Sequence, residues 1–336
     1  MFVPVVDTNQ KPLMPTTPAR ARKWIASKKA TPFWKKGIFC VRLNVEPSSR
    51  QFQEIAVGID PGSKKEGYTV KSELHTYLNI QADAVTWVKE AVATRSMLRR
   101  SRRNRKTPYR CNRMNHHHVT LTPSTRARWQ WKLRICNWLK RMYPINTFIV
   151  EDIKAWTKKN SPKWNQSFSP LEVGKNWFYE QIKKLGKLKT KQGYETKELR
   201  DSLGLSKSKK KLSNRFDAHC VDSWVIANSF VGGHIKPDNE KMILVIPLRL
   251  HRRQLHVQNF IKGGIRKNYG STRSMGFKRG SIVEHIKYGL AYIGGTSKKR
   301  ITLHKISTGE RICRNAIPND CTFKTYTTWR AHSCAN

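Results

Sequence analysis

The chain has 336 residues, 66 of them Lys or Arg against 22 Asp or Glu, for a formal net charge of +44. Its 38% hydrophobic content with 11 Trp supports real cores, and the length allows two or three domains. A compact protein with this excess uncompensated is excluded, because it would repel itself; the natural resolution is a bound polyanion, usually nucleic acid.

No basic amphipathic helix or lipidation motif supports a membrane-surface reading, and no apolar run approaches spanning length. The seven cysteines are scattered, with no Cys-x-x-Cys pair, so free thiols in a reducing compartment are expected rather than a zinc ribbon or redox motif. Without a positively charged start followed by an apolar stretch, the protein is expected in the cytosol or bound to intracellular nucleic acid.

In chain order, residues 1–50 are punctuated by six prolines, leaving room for a helix only from Pro18 to about Lys29. Glu54–Asp60 alternates and breaks at Pro61-Gly62, which predicts a strand ending in a turn. Gly67–Val70 restarts as an antiparallel partner, with a third strand expected near Thr76–Ile80. From residue 91 to 150 there is no acidic residue and there are 15 Lys or Arg, nine of them between Arg95 and Arg113. Asn146–Glu151 is a short apolar run ending in a carboxylate, read as a buried strand. Residues 153–212 are polar, basic and Trp-bearing, with Lys207–Lys211 read as a solvated run. Ser213–Phe230 has a capping residue and an apolar stripe (Ala218, Val221, Trp224, Val225, Ala227), which predicts a helix. After Met242–Ile246 the chain becomes glycine-rich and strand-like to Tyr326, consistent with a small antiparallel C-terminal domain.

Acids are scarce enough for their positions to carry information. Asp60 ends the first strand of the predicted sheet, Glu151 ends another, and His219 and Asp222 share one face of the late helix. Carboxyl ends of strands are where open α/β sheets gather their ligands. Three converging carboxylates repel one another unless a hard cation such as magnesium neutralises them. Two ions ~3.5–4 Å apart would suit phosphodiester cleavage, with His219 as a ligand or proton acceptor. The bland alternative makes Asp60 a turn former, Glu151 a strand end and Asp222 a helix salt bridge. That each stands where a ribonuclease H-like order needs it weighs against three coincidences.

Arg95, Arg99, Arg100, Arg102, Arg103, Arg105 and Lys106 would wrap around all sides of one helix, with only Met97 and Leu98 to offer a core contact. Like charges at i,i+4 disfavour such a helix alone; phosphates around it would stabilise it through guanidinium forks. His116-His117-His118 has no Cys or acid beside it and reads as a polar loop. The tryptophans at 129, 131, 138, 156, 164 and 177 are expected mainly in cores.

Lys11–Pro15, Gly58–Gly62, Arg99–Arg105, Val150-Glu151, Asp217–Asp222, Arg252–His256, Gly263–Arg266 and Gly276–Gly280 together resemble the transposon-encoded RuvC-like proteins IscB and IsrB. IscB carries an HNH nuclease between its second and third RuvC motifs, whereas residues 153–216 contain no His and no Cys, so the resemblance is to IsrB. It implies an α/β fold: a ribonuclease H-like (RuvC) core split by an arginine-rich bridge helix, with a small N-terminal PLMP domain and a β-rich C-terminal domain. The implied segments are 1–52 (PLMP), 53–93, 126–153 and 213–247 (the three RuvC parts), 94–125 (bridge helix and connector), 154–212 (a basic linker in place of HNH) and 248–336 (C-terminal domain).

The resemblance further implies an omega-RNA-guided nickase of the non-target DNA strand, acting beside a short target-adjacent motif as a monomeric protein in a ribonucleoprotein. Asp60, Glu151, His219 and Asp222 match its catalytic and metal centre, which takes two Mg2+ ions, with Mn2+ able to substitute. Its nucleic-acid contacts map onto Arg95, Arg99, Arg100, Arg102, Arg103, Arg105, Lys106 and Arg110, and onto Arg252, Arg253, Arg266, Lys278 and Arg279. Guide RNA would read sequence by base pairing. Alternatives left open by the residues alone are a guide-independent RuvC or transposase-type nuclease and a non-catalytic RNA-binding protein.

Overall fold

The expected alternation before Asp60 is not realised: residues 55–60 are buried throughout, as a strand covered on both faces requires, and the computed structural model places that strand inside a seven-stranded sheet. The structure describes residues 2–104, 121–155, 169–249, 273–297 and 299–334. His116–His118, Trp156 and Trp164 lie outside them. Ahead of the sheet, β1 (Val3–Val6), β2 (Pro12–Thr16), α1 (Pro18–Ala26), β3 (Ala30–Lys35) and β4 (Ile38–Leu43) form a separate small sheet, ordered β2-β1-β4-β3. Thr17 caps α1 by accepting from the Arg20 amide, and Pro18 starts it. The helix stops at Ala26, short of Lys29, because Lys28 turns the chain at φ 58°.

The central sheet begins with the antiparallel strands β5 (Ala56–Asp60), β6 (Lys65–Lys71) and β7 (Thr76–Asp83). There follow α2 (Val88–Asn104), α3 (Pro123–Lys140), β8 (Thr147–Asp152), α4 (Pro170–Lys183), β9 (Lys187–Gln192), α5 (Gly193–Ser202), α6 (Phe216–Val231) and β10 (Met242–Pro247). β8 lies parallel to β5 and β9 parallel to β8, giving the run β7-β6-β5-β8-β9. The sheet is thus mixed and the fold α/β, the class expected from the sequence. Residues 154–212 are not merely a linker: α4 packs on α3 and β9 closes the sheet edge.

Side-chain alternation divides the sheet into two faces. Ile55, Val57, Ile59, Tyr68 and Phe148 pack with Trp129, Trp131, Ile135, Trp138, Phe178 and Ile182 of α3 and α4. Ala56 and Ile149 point the other way, onto Ile226 of α6. Trp129, Trp131 and Trp138 are thus core residues, and Trp177 packs against the same cluster.

The C-terminal region holds the hairpin β11 (Arg273–Ser274) and β12 (Phe277–Lys278), then β13 (Ser281–His285), β14 (Gly289–Ser297), β15 (Arg300–Lys305), β16 (Arg311–Ala316) and β17 (Cys321–Tyr326). The last five form an antiparallel sheet. The final strand, β18 (Trp329–Ser333), leaves that sheet and pairs antiparallel with β10, extending the core. Trp329 anchors it edge-on to Trp131 and Trp138, with ring centroids 5.5 and 5.2 Å away. Among the described residues no helix is long and apolar enough to cross a membrane, and the cysteines are free.

Candidate functional site

Asp60 and Glu151 are brought together by strand register. Ile59 pairs with Val150 across the parallel β5–β8 ladder, so the next residues emerge side by side at the carboxyl ends. Both belong to the face covered by α6, since they lie four and two residues beyond Ala56 and Ile149.

Two glycines let α6 approach closely enough to complete the group. A Cβ on Gly58 would lie 1.9 Å from the Ser223 carbonyl oxygen, and one on Gly67 would lie 2.3 Å from that of His219. Ser223 Oγ hydrogen-bonds Thr69 Oγ1 at 2.8 Å, which fixes the helix over β6. His219 and Asp222, one turn apart, then project toward Asp60. His219 Nδ1 lies 3.6 Å from Asp60 Oδ2, while its Nε2 donates to the Lys211 carbonyl at 2.8 Å. Asp60, His219 and Asp222 are buried.

Two cations that the sequence reading did not assign to the site share it. Arg200 of α5 donates to Asp222 Oδ1 at 2.7 Å. Lys207 donates to Asp222 Oδ2, and its Nζ lies 3.9 Å from Asp60 Oδ2. The run Lys207–Lys211 is therefore not uniformly solvated: Lys209 and Lys210 are exposed, whereas Lys207 turns onto the carboxylates. Burial alone would lower the Lys207 ammonium, but the charges of Asp60 and Asp222 and the hydrogen bond to Asp222 hold it above the ordinary lysine value.

Glu151 has the least favourable surroundings of the three acids. Burial, then the charges of Asp60 and Asp222, push its carboxyl up to about 7, against the pull of Lys207 and Arg200. Gly193, the first residue of α5, leaves it room; a Cβ there would stand 3.1 Å from Glu151 Oε1. Among the described residues no three His, Cys, Asp or Glu side chains stand together closely enough to hold a metal ion as they are. Asp222 is instead paired with Arg200 and Lys207, and Asp60 faces Lys207.

The raised carboxyl has a stability consequence. Folded Glu151 holds its proton to about pH 7, and the unfolded chain releases it near the ordinary value of 4.5. Wild-type stability should therefore fall as pH rises through that window and stay reduced above it. Glu151→Gln should lack this slope, gaining up to about 3 kcal/mol over wild type at pH 8 and little at pH 4.5. Urea unfolding in chelator at both pH values measures it; parallel pH profiles would refute the crowded-carboxylate account.

The arginine-rich segment forms α2, which starts at Val88 and leaves the core along its length. Met97 and Leu98 are 61% and 63% exposed, and Arg95, Arg99 and Arg100 are exposed beside them. Arg102 and Arg103 continue the helix. Arg105, Lys106, Arg110, Arg252, Arg253 and Arg266 lie outside the described residues. Of the C-terminal candidates, Lys278 is exposed with its ammonium 5.2 Å from the Tyr326 ring centroid, whereas Arg279 is engaged with the Gly294 carbonyl.

Residues 3–165 match the family described as RRXRR protein, a stretch that includes Asp60, α2 and Glu151 but not His219 or Asp222. No curated protein matches the chain. Six chains of solved structures match, among them T. thermophilus RuvC in complex with Holliday junction substrate. That likeness has 12% identity and a TM-score of 0.30, covering 54% of this chain and 98% of the other.

Proposed function

We propose that the protein is an IsrB-type endonuclease that nicks the non-target strand of double-stranded DNA under the guidance of an omega RNA, beside a target-adjacent motif. The observation that carries the nuclease part is the approach of Asp60, Glu151 and Asp222 toward one another at the carboxyl ends of β5 and β8 beneath α6, with His219 3.6 Å from Asp60. RNA guidance is supported by the resemblance of the whole chain, the net charge of +44 and the exposed arginines of α2.

The donor set fits a divalent cation such as Mg2+ or Mn2+. It consists of hard carboxylate oxygens with one imidazole, and Glu151 stays protonated to about pH 7 although two cations are already beside the acids. Asp60, Glu151 and Asp222 would hold the metal, with His219 at their flank. A bound divalent ion supplies Lewis-acid polarisation of the phosphoryl oxygens. The chain's own residues do the rest. Arg200 fixes one oxygen of Asp222 and so aims the carboxylate. His219, held through Nε2 by the Lys211 carbonyl, keeps Nδ1 toward Asp60, where it can take a proton from an attacking water.

One such centre, with no His or Cys between Ile153 and Phe216 to build an HNH site, should cut a single strand. Label each strand of a supercoiled target separately and follow cleavage by the guided complex with magnesium. Cutting confined to the displaced strand is expected, because the paired strand is sequestered in the heteroduplex. Efficient guide-dependent cutting of the paired strand would overturn the single-centre reading.

The arginine helix makes a separate prediction. Replacing Arg95, Arg99 and Arg100 together by Ala should weaken RNA binding and flatten its salt dependence by up to ~0.7–0.9 in log–log slope per lost phosphate contact. Filter-binding titrations across a salt series read the slope, and an unchanged slope would remove α2 from the RNA interface.

A further inference from the structure

We propose that Lys207 is a resident counter-cation of the carboxylate cluster, seated in the free protein and displaced when a divalent cation binds. The inference rests on the metal-dependent reading above and assigns to one lysine a role outside the acids themselves.

The two cations at the cluster are held differently. Arg200 belongs to α5, a helix with a capping box at its start, and its side chain is 13% exposed. It is the more enclosed of the two cations, and its guanidinium has the Asp201 carboxylate 3.7 Å away as a second partner. Lys207 sits on the connection between α5 and α6, in neither helix, with its side chain 31% exposed. Its neighbours are tied down at a few points only: the Leu205 amide to the Arg200 carbonyl at 3.0 Å, and the Ser208 amide to the Asp217 carbonyl at 2.9 Å. A four-carbon stem gives its ammonium an easy route to solvent.

Charge decides which partner leaves. Even with Glu151 ionised, the three carboxylates set against Arg200 and Lys207 leave only one negative charge uncompensated. A divalent ion added with both cations retained would reverse that sign and set the Lys207 ammonium against a dication in a partly buried place. The ammonium also engages Asp222 Oδ2 and approaches Asp60 Oδ2, oxygens that an incoming cation needs. Release of Lys207 relieves both conflicts, and Arg200 remains to orient Asp222. Seated, the lysine spares the free protein the repulsion between Asp60 and Asp222. A permanent structural ion pair would use the same contacts but would have no reason to weaken when metal arrives.

The test is Mn2+ binding to the full-length chain at fixed ionic strength, with free Mn2+ followed by electron paramagnetic resonance. Lys207→Met should bind at least ~5-fold more tightly than wild type, the lower end of ordinary coupling between two binding events. Lys209→Met removes the same charge from an exposed neighbour and should bind like wild type. Equal affinity in the two variants, or weaker binding by Lys207→Met, overturns the counter-cation role while leaving the metal centre standing. Absence of saturable binding in wild type and both variants would sink the metal centre and this inference together. A second measurement uses unaltered protein: acylation of lysine amines by an activated ester, read by peptide mass spectrometry. Labelling of Lys207, but not Lys209, should rise several-fold with Mn2+; labelling of Lys207 that stays constant while Mn2+ binds would overturn the displacement.

Discussion

Asp60→Asn and Asp222→Asn are each expected to lower magnesium-dependent strand cleavage by roughly 10³-fold or more, the scale for removing one member of a group that acts as a unit. RNA binding should be unchanged in both, because phosphate affinity resides in the arginines. The two variants should differ in stability, which makes the pair more informative than either alone. Asp222 is 2% exposed and is the shared partner of Arg200 and Lys207, so its neutralisation leaves two cations facing each other without their carboxylate. Asp60 meets Lys207 only at 3.9 Å and His219 at 3.6 Å, and its loss relieves the crowding on Glu151. Single-turnover nicking and urea unfolding, measured in parallel, should show equal losses of cleavage and a larger loss of stability in Asp222→Asn. Cleavage that survives in Asp60→Asn would remove that residue from the centre.

The acids of this site could be read in the sequence because each sits at a point where local pattern and chemistry coincide. Asp60 ends a strand-like run before Pro-Gly, Glu151 ends an apolar run, and His219 and Asp222 lie one turn apart in a stretch with an apolar stripe. The pattern failed where tertiary position replaces periodicity. β9 is Lys-Leu-Lys-Thr-Lys-Gln, with a single apolar residue, because it closes the sheet at an edge that charged side chains protect. α5 buries only Thr196, so no apolar stripe announces it, although Gln192 and Glu195 form a capping box. With those elements unread, Arg200 and Lys207 looked like members of a solvated basic stretch. β18 was hidden differently: it joins β10 after a whole intervening sheet, and no local signal records such a pairing.

A buried ion pair on the opposite face of the sheet was equally invisible, and it carries the largest expected effect on stability. Glu66 is fully buried on β6; its Oε1 accepts from Lys132 Nζ of α3 at 2.5 Å and its Oε2 from the Tyr68 hydroxyl at 2.6 Å. Burial, then the charge of Glu66, pushes the Tyr68 hydroxyl far above the ordinary tyrosine value, so it stays a donor. The Lys132 ammonium also lies 5.0 Å from the Trp129 ring centroid. Lys132→Met keeps the stem that fills this space and removes the charge, leaving a carboxylate with one neutral donor in an apolar layer. The expected loss is about 3–5 kcal/mol, a third or more of a typical folding free energy. Adding Glu66→Gln should recover most of it, since an amide and a thioether need no counter-charge. Urea unfolding followed by tryptophan fluorescence on the two single variants and the double variant measures the coupling. A loss below about 1 kcal/mol in Lys132→Met would mean that Glu66 is not held there as an anion. The result bears on the centre itself, because Gly67 on the reverse side of the same strand receives α6, and a β6 that loses its tie to α3 loosens the seat of His219 and Asp222.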